Sequence, residues 1–345
     1  MRVLAGDIGG THARMAVVDV DADSVHVGRS LVYESRAFPA LAPIVRDFIS
    51  QGTEKIERAT FGVACPVTEG DCVTPNLPWK VSARAVAEAT GIRATSVIND
   101  LRAMAYGVTR MGPADLLPLQ DAVPAPRGVI ALIGAGTGLG QAFLVWDGER
   151  YRAFASEGGH ATFAPRTEQE WALRNAIADE HGHVSYERVV SGPGLENIYR
   201  FLAALPGALT SPTVSAAIDA EGPVAISRHG LDGSDPVCAA ALDLFSSAYG
   251  AQAGNLALHV LATGGVYLVG GIAKAMASKL RDGIFITAFR DKGRMGELLC
   301  KIPVNVVVNT RIGLVGAAVA ASESAVIPDN AGAPAPSINE KLGAR

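Results

Sequence analysis

The sequence predicts an α/β protein of two domains, and three observations carry that prediction. A strand, a glycine-rich turn and a second strand follow one another twice, at residues 3–20 and 129–146. Strand-type and helix-type segments alternate around these units, and a proline-dense stretch separates the halves. The first unit runs from Val3 into Asp7-Ile8-Gly9-Gly10-Thr11, then through Ala13 to Val18 into an acidic turn, which reads as a β-hairpin. The second runs from Val129-Ile130-Ala131-Leu132-Ile133 into Gly134-Ala135-Gly136-Thr137-Gly138-Leu139-Gly140, then through Ala142 to Trp146. The two are expected to be related halves whose glycine turns face each other.

Between them, residues 59–63 and 94–98 are short apolar runs of strand type, while 82–90 and 101–110 carry helical spacing. Residues 111–128 contain Pro113, Pro118, Pro124 and Pro126, a density that predicts loss of regular structure and a domain boundary. Beyond it, helices are expected over 168–181, 194–205 and 236–261, with strands over 266–269 and 303–308. A small-residue helix over 313–321 is expected to return to the first half. The domains predicted in this way are 1–110 with about 303–324, then 111–302, with an Ala/Pro-rich flexible tail at 325–345.

Of 345 residues 49% are hydrophobic and 19% charged, which excludes a largely disordered chain and allows two cores. The net charge of −4 gives no long-range attraction for nucleic-acid phosphates or anionic lipid, so neither partner is expected. Asp7 arrives before an apolar run of signal-peptide length forms, which points to the cytoplasm. No charge occurs between Asp243 and Lys274, but the stretch is broken by glycines and carries Asn255 and His259, against a membrane span. Cys65, Cys72, Cys238 and Cys300 fit no metal-ligand spacing and read as reduced, buried fillers.

Three glycine turns are the candidate chemistry. Asp7-x-Gly9-Gly10-Thr11 reads either as a plain Gly-Gly hairpin with Asp7 capping it, or as a phosphate cradle with Asp7 orienting a hydrated Mg²⁺. Gly136-Thr137-Gly138 reads as a second such cradle or as a flexible loop. It is no dinucleotide fingerprint, since Leu139 and Gln141 stand where glycine is needed, and no P-loop, since Gly-Lys never occurs. Gly265, Gly270 and Gly271 flank a third strand, offering either close strand–helix packing or a flat surface for a base. Asn99-Asp100 lies where a strand meets a helix, a position that by itself reads as a helix cap. Glu157-Gly158-Gly159-His160 and Glu180 to His183 both have E-x-x-H spacing, but a di-iron site needs helices, which Gly158-Gly159 opposes. Asn76-Leu77-Pro78-Trp79 reads as a ligand-touching loop or as a Trp79 core anchor.

The ordered triplet of turns resembles the phosphate-1, phosphate-2 and adenosine motifs of the actin, Hsp70 and sugar-kinase superfamily. Together with Ile98-Asn99-Asp100, Glu157-Gly158-Gly159-His160, Glu187 and Ser191-Gly192-Pro193-Gly194-Leu195, it is similar to the bacterial glucokinase family over roughly residues 1–320. The resemblance implies an actin-like ATPase (ribonuclease H-like) fold with a ligand cleft between the domains, and ATP-dependent phosphorylation of D-glucose at its 6-hydroxyl. It implies Asp100 as general base, Asn99, Glu157, His160 and Glu187 on sugar hydroxyls, and a homodimer. ATP and Mg²⁺ are the expected cofactors. The chain departs from the related ROK kinases and repressors: Ala161-Thr162-Phe163-Ala164-Pro165 follows His160 where those carry a cysteine-rich zinc motif, so zinc is not expected. A kinase for mannose or glucosamine, or a nucleotide switch, are the competing readings.

Overall fold

The computed structural model describes residues 1–323 apart from 23, 66, 74–76 and 78, so the predicted tail lies outside the described residues, as do Asn76 and Pro78. The described residues divide into two compact units, residues 1–110 with 311–323, and Met111–Thr310. Unit 1 begins with β1 (Arg2–Ile8), β2 (His12–Val20), β3 (Val25–Glu34), α1 (Leu41–Ser50) and β4 (Arg58–Val63). It continues with β5 (Asp71–Val73), β6 (Lys80–Ser82), α2 (Ala83–Thr90), β7 (Ala94–Asn99) and α3 (Asp100–Val108). Unit 2 opens with β8 (Leu116–Gln120), β9 (Ile130–Ala135), β10 (Leu139–Trp146) and β11 (Tyr151–Ser156). Its helices are α4 (Glu168–His181), α5 (Gly192–Ala203), α6 (Pro212–Glu221), α7 (Pro223–Leu231) and α8 (Pro236–Val260). Then come β12 (Gly265–Val269), α9 (Gly271–Ala275), α10 (Ala277–Leu280), α11 (Ile284–Arg290), α12 (Gly296–Leu299) and β13 (Val304–Val307). The last helix, α13 (Ile312–Glu323), belongs to unit 1.

In unit 1 the sheet order is β3-β2-β1-β4-β7, with β1, β4 and β7 parallel. The centre of the sheet is covered on both faces, which is why β1 and β4 read as continuous apolar runs rather than as alternating ones. Leu4, Ile8, Met15 and Val17 point into a core with Leu41, Ile44 and Phe48 of α1. Val3, Ala5, Ala16 and Val18 point the other way, onto Leu314, Ala317 and Ala318 of α13. Small residues set the spacing of α13 against α3: a Cβ at Gly107 would stand 2.3 Å from the Ile312 carbonyl oxygen, and one at Gly316 would stand 1.7 Å from that of Ala103. Only glycine permits backbones that close.

In unit 2 the sheet order is β11-β10-β9-β12-β13-β8. Here the structure corrects three expectations. The proline-dense stretch is not irregular throughout, because β8 pairs antiparallel with β13 at the sheet edge, where Pro118 costs no ladder hydrogen bond to a second neighbour. The segment from 303 does not return to unit 1, because β13 lies between β12 and β8, and the return begins at Arg311. Cys65 and Cys72 are joined in a disulfide with Cα atoms 6.3 Å apart, and Cys300 is exposed, leaving Cys238 as the buried free thiol. Among the described residues no helix is long and apolar enough to cross a membrane.

Candidate active site

Unit 1 brings its predicted residues to one edge of its sheet. Ile8, Val63 and Asn99 stand in one row across three neighbouring parallel strands, so the chain beyond each of them leaves the sheet at its carboxyl edge. That edge is where α/β sheets bind ligands. The turn after β1 is fastened by Gly9 N–H donating to the His12 carbonyl at 2.9 Å. The fully buried Ser35 grips it too: its Oγ donates to the Gly9 carbonyl at 2.8 Å and its N–H to that of Thr11 at 2.9 Å.

Asp7 sits just before this turn, mostly buried, with Arg14 3.5 Å away on the paired strand and the Gly313 backbone close against its carboxylate. Burial raises the Asp7 pKa above the ordinary carboxylate value, and the Arg14 guanidinium only partly opposes the rise. A single hard carboxylate beside a phosphate-type turn suits Mg²⁺ that keeps its waters and takes its other ligands from phosphate.

At the β7–α3 junction the cap is Asn99 rather than Asp100. Asn99 Oδ1 accepts the Arg102 N–H at 3.1 Å and its Nδ2 donates to the Cys65 carbonyl at 3.4 Å. Asp100 is the first residue of α3, with Oδ1 accepting from Leu101 N–H at 2.8 Å.

Unit 2 gathers Glu157, His160 and Glu187, the last of them 30 and 27 residues further along the chain than the first two. His160 stands between the two acids, its Nε2 3.8 Å from Glu157 Oε2 and its Nδ1 3.8 Å from Glu187 Oε1. Gly158–His160 is one 3-10 turn, not an α-helix, and it is laced to the Glu187 segment by Tyr186 N–H to the Ala161 carbonyl and Phe163 N–H to the Val184 carbonyl, both at 2.9 Å. His183 lies past the end of α4 with Nε2 3.3 Å from the His160 carbonyl oxygen.

Beneath the trio lie polar residues that the sequence reading missed. On α8, Asn255 Nδ2 donates to the Tyr186 hydroxyl and to Gln252 Oε1, both at 3.1 Å, and Gln252 Nε2 reaches the Gly158 carbonyl at 3.5 Å. Gln141 packs under Gly158, and Ser156 Oγ accepts the Gly158 N–H at 3.1 Å. The legible signal was Gln252 and Asn255, three apart in a stretch without charge, which places both amides on one helix face.

The glycine turns sort into two kinds. At Gly136 and Gly271 an added Cβ would meet nothing within 4 Å and φ is not positive, so the fold itself does not demand glycine there. Thr137 is exposed beside Gly136. Gly270 has φ +93° and a Cβ there would lie 3.0 Å from the Ala135 carbonyl oxygen, so the second and third turns are neighbours at the carboxyl ends of β9 and β12. Gly265 is not among them. It opens β12, pairing with Ile130, and packs against Pro303, at the other end of the strand and roughly 13 Å from Val269 at about 3.3 Å per residue.

A doubly covered mixed sheet, with a glycine turn and acids at the carboxyl edge of its parallel strands, and a second unit with two such turns beside a carboxylate–imidazole trio define a two-domain α/β phosphotransferase of the actin-like fold. The Glucokinase family model matches residues 4–324. A glucokinase of Synechocystis sp. is 40% identical over 347 residues, covering 93% of this chain and 98% of the relative. The crystal structure of a glucokinase from an Antarctic psychrotroph shares 32% identity with a TM-score of 0.84, covering 94% of this chain and 99% of that one. A ROK family glucokinase from Streptomyces griseus, solved with glucose and AMPPNP, has the same fold at 22% identity and a TM-score of 0.64, covering 94% of this chain and all of that one, 100%. The chain belongs to the glucokinase family.

Proposed function

We propose that the protein is a kinase that transfers the γ-phosphoryl group of ATP to the 6-hydroxyl of D-glucose, giving glucose 6-phosphate and ADP for glycolysis. The observation that carries this reading is the Glu157–His160–Glu187 trio, two carboxylates and an imidazole converging within 3.8 Å beside a glycine-rich turn. Adjacent sugar hydroxyls both donate and accept, and a site of this composition rewards a ligand that does both while rejecting one that lacks a hydroxyl.

In the proposed mechanism Glu157, His160 and Glu187 orient the ring and Asn99 takes a neighbouring hydroxyl. The Asp100 carboxylate receives the O6 proton as O6 bonds to the γ-phosphorus and the bond to the β–γ bridging oxygen breaks, releasing ADP. Gly9, Gly10 and Thr11 and the turn at Gly136 and Thr137 receive phosphate oxygens, and Gly270 and Gly271 leave room for the nucleoside. Asp7 would hold Mg²⁺ through water, and the ion would neutralise phosphate charge. Positioning is most of the catalysis, since a loose transition state asks little covalent chemistry of the protein. Action in the cytoplasm as a homodimer completes the reading, and sedimentation against concentration tests the dimer.

The experiment is ADP formation from ATP and Mg²⁺ with glucose, mannose, glucosamine or no sugar. Turnover that depends on glucose supports the proposal; preference for another hexose reassigns the substrate, and equal turnover without sugar replaces the kinase by a nucleotide switch.

A further inference from the structure

Residues 138 and 139 are where the second glycine-rich turn meets the trio. Leu139 N–H donates to Glu187 Oε2 at 2.9 Å, while Oε1 of the same carboxylate faces His160. On the far side of that residue a Cβ at Gly159 would stand 1.9 Å from the Leu139 carbonyl oxygen, so the Glu157–His160 turn rests directly on it. One residue earlier, a Cβ at Gly138 would fall 2.4 Å from Glu187 Oε2. Gly138 has no positive φ, so its backbone does not call for glycine; the nearby carboxylate does. One more bond seats the Glu187 segment on the turn, Gly192 N–H to the Gly136 carbonyl at 2.8 Å, and Ser191 Oγ braces the segment itself by donating to the Glu187 carbonyl at 2.7 Å.

We propose that Gly138 and the Leu139 N–H are determinants of sugar affinity that act through Glu187, on a turn whose sequence reads as a phosphate cradle. The inference rests on the reading that Glu187 binds sugar hydroxyls. A carboxylate with one oxygen held by a backbone N–H presents the other in a fixed direction, and the ordering is complete before the ligand arrives. With Leu139 N–H spent on Glu187, the turn's contribution to phosphate falls to Gly136 and Thr137. The same bond couples the sites: whatever glucose does to order Glu187 it does to the turn, and the coupling is reciprocal.

The test is glucose titration of the nucleotide-free protein by calorimetry, native against Gly138→Ala. The new methyl meets the far end of a flexible side chain, so the fold is expected to survive while the carboxylate leaves Leu139. Glucose affinity is expected to fall by about ten- to a hundred-fold, the weight of a hydrogen bond to a charged group. A glycine that serves phosphate alone predicts unchanged glucose affinity with weakened AMPPNP binding, and that result overturns the inference. A second measurement needs no variant at position 138: hydrogen exchange at the Leu139 amide of the native protein is expected to slow on adding glucose and to quicken in Glu187→Ala. An exchange rate indifferent to both overturns the inference. Native protein that binds no glucose at all overturns the proposed function along with it.

Discussion

Gly316→Ala tests how the fold places Asp100. A Cβ at position 316 would stand 1.7 Å from the Ala103 carbonyl oxygen, 2.6 Å from its carbon and 2.7 Å from Gly107 N, all backbone atoms of α3 that cannot rotate aside. To reach a tight carbon–oxygen contact of about 3.3 Å the helices must part by about 1.6 Å. Ala103, Ala317 and Ala318 around the contact are fully buried, so the packing has no slack to absorb the shift. Overpacking of this kind costs about 1–3 kcal/mol, and backbone against backbone belongs at the upper end. At roughly 3 °C per kcal/mol the melting temperature falls by about 3–9 °C. Asp100 is the first residue of the displaced helix. A misplacement of about 1 Å costs on the order of 10²-fold in rate, so kcat is expected to drop by one to two orders of magnitude with the melt still cooperative. The assay is a thermal melt beside steady-state kinetics on one preparation. A variant within about 0.5 kcal/mol of native and with unchanged kcat refutes the claim that α13 sets the position of α3.

Three other outcomes are expected. Because burial raises the Asp7 pKa while Arg14 opposes the rise, the folded state holds the Asp7 proton to higher pH than the unfolded chain does. Asp7 therefore subtracts stability as pH rises from the unfolded value, about 3.9, through the raised folded one, and its ionised form is reached later. Arg14→Met should move the acid limb of kcat/KM for ATP to still higher pH; a limb that stays put removes Asp7 from phosphate chemistry. Ser35→Ala strips the donor from the Gly9 carbonyl and should cost about 1 kcal/mol and raise the KM for ATP several-fold, leaving glucose binding unchanged. Burial pushes the Cys238 thiol up to about 12, so a thiol reagent on the folded, unreduced protein should label Cys300 and spare Cys238. Labelling of Cys65 and Cys72 without prior reduction would contradict their pairing.

The sequence reveals most where structure is local. The two hairpins announce themselves because an apolar run, a glycine turn and a second apolar run are adjacent in the chain, and α4 is bounded by Thr167 as its cap and Gly182 at its end. The small-residue stretch at 313–321 forms a helix buried on all sides, as its composition suggests. What stays hidden depends on distant pairing. Pro118 sits in an edge strand only because β13, nearly two hundred residues later, supplies its partner. Gly265 and Gly270 look alike in sequence, yet one opens a strand and the other follows it, and the strand's length separates their positions. Gly138 looks like a phosphate glycine until Glu187 is seen against it. Ser35 follows β3, a strand absent from the sequence reading because its alternate exposed residues dilute the apolar signal.

The most direct test of the account is Asp100→Asn, which keeps the size and the hydrogen-bonding shape of the side chain but takes away its ability to accept the O6 proton. Glucose affinity measured by calorimetry should stay within a few-fold of native, while kcat for glucose 6-phosphate formation falls by on the order of 10²–10⁴-fold. A variant that binds glucose normally and keeps more than about a tenth of native turnover would contradict the assignment, since a proton-accepting group contributes far more than that.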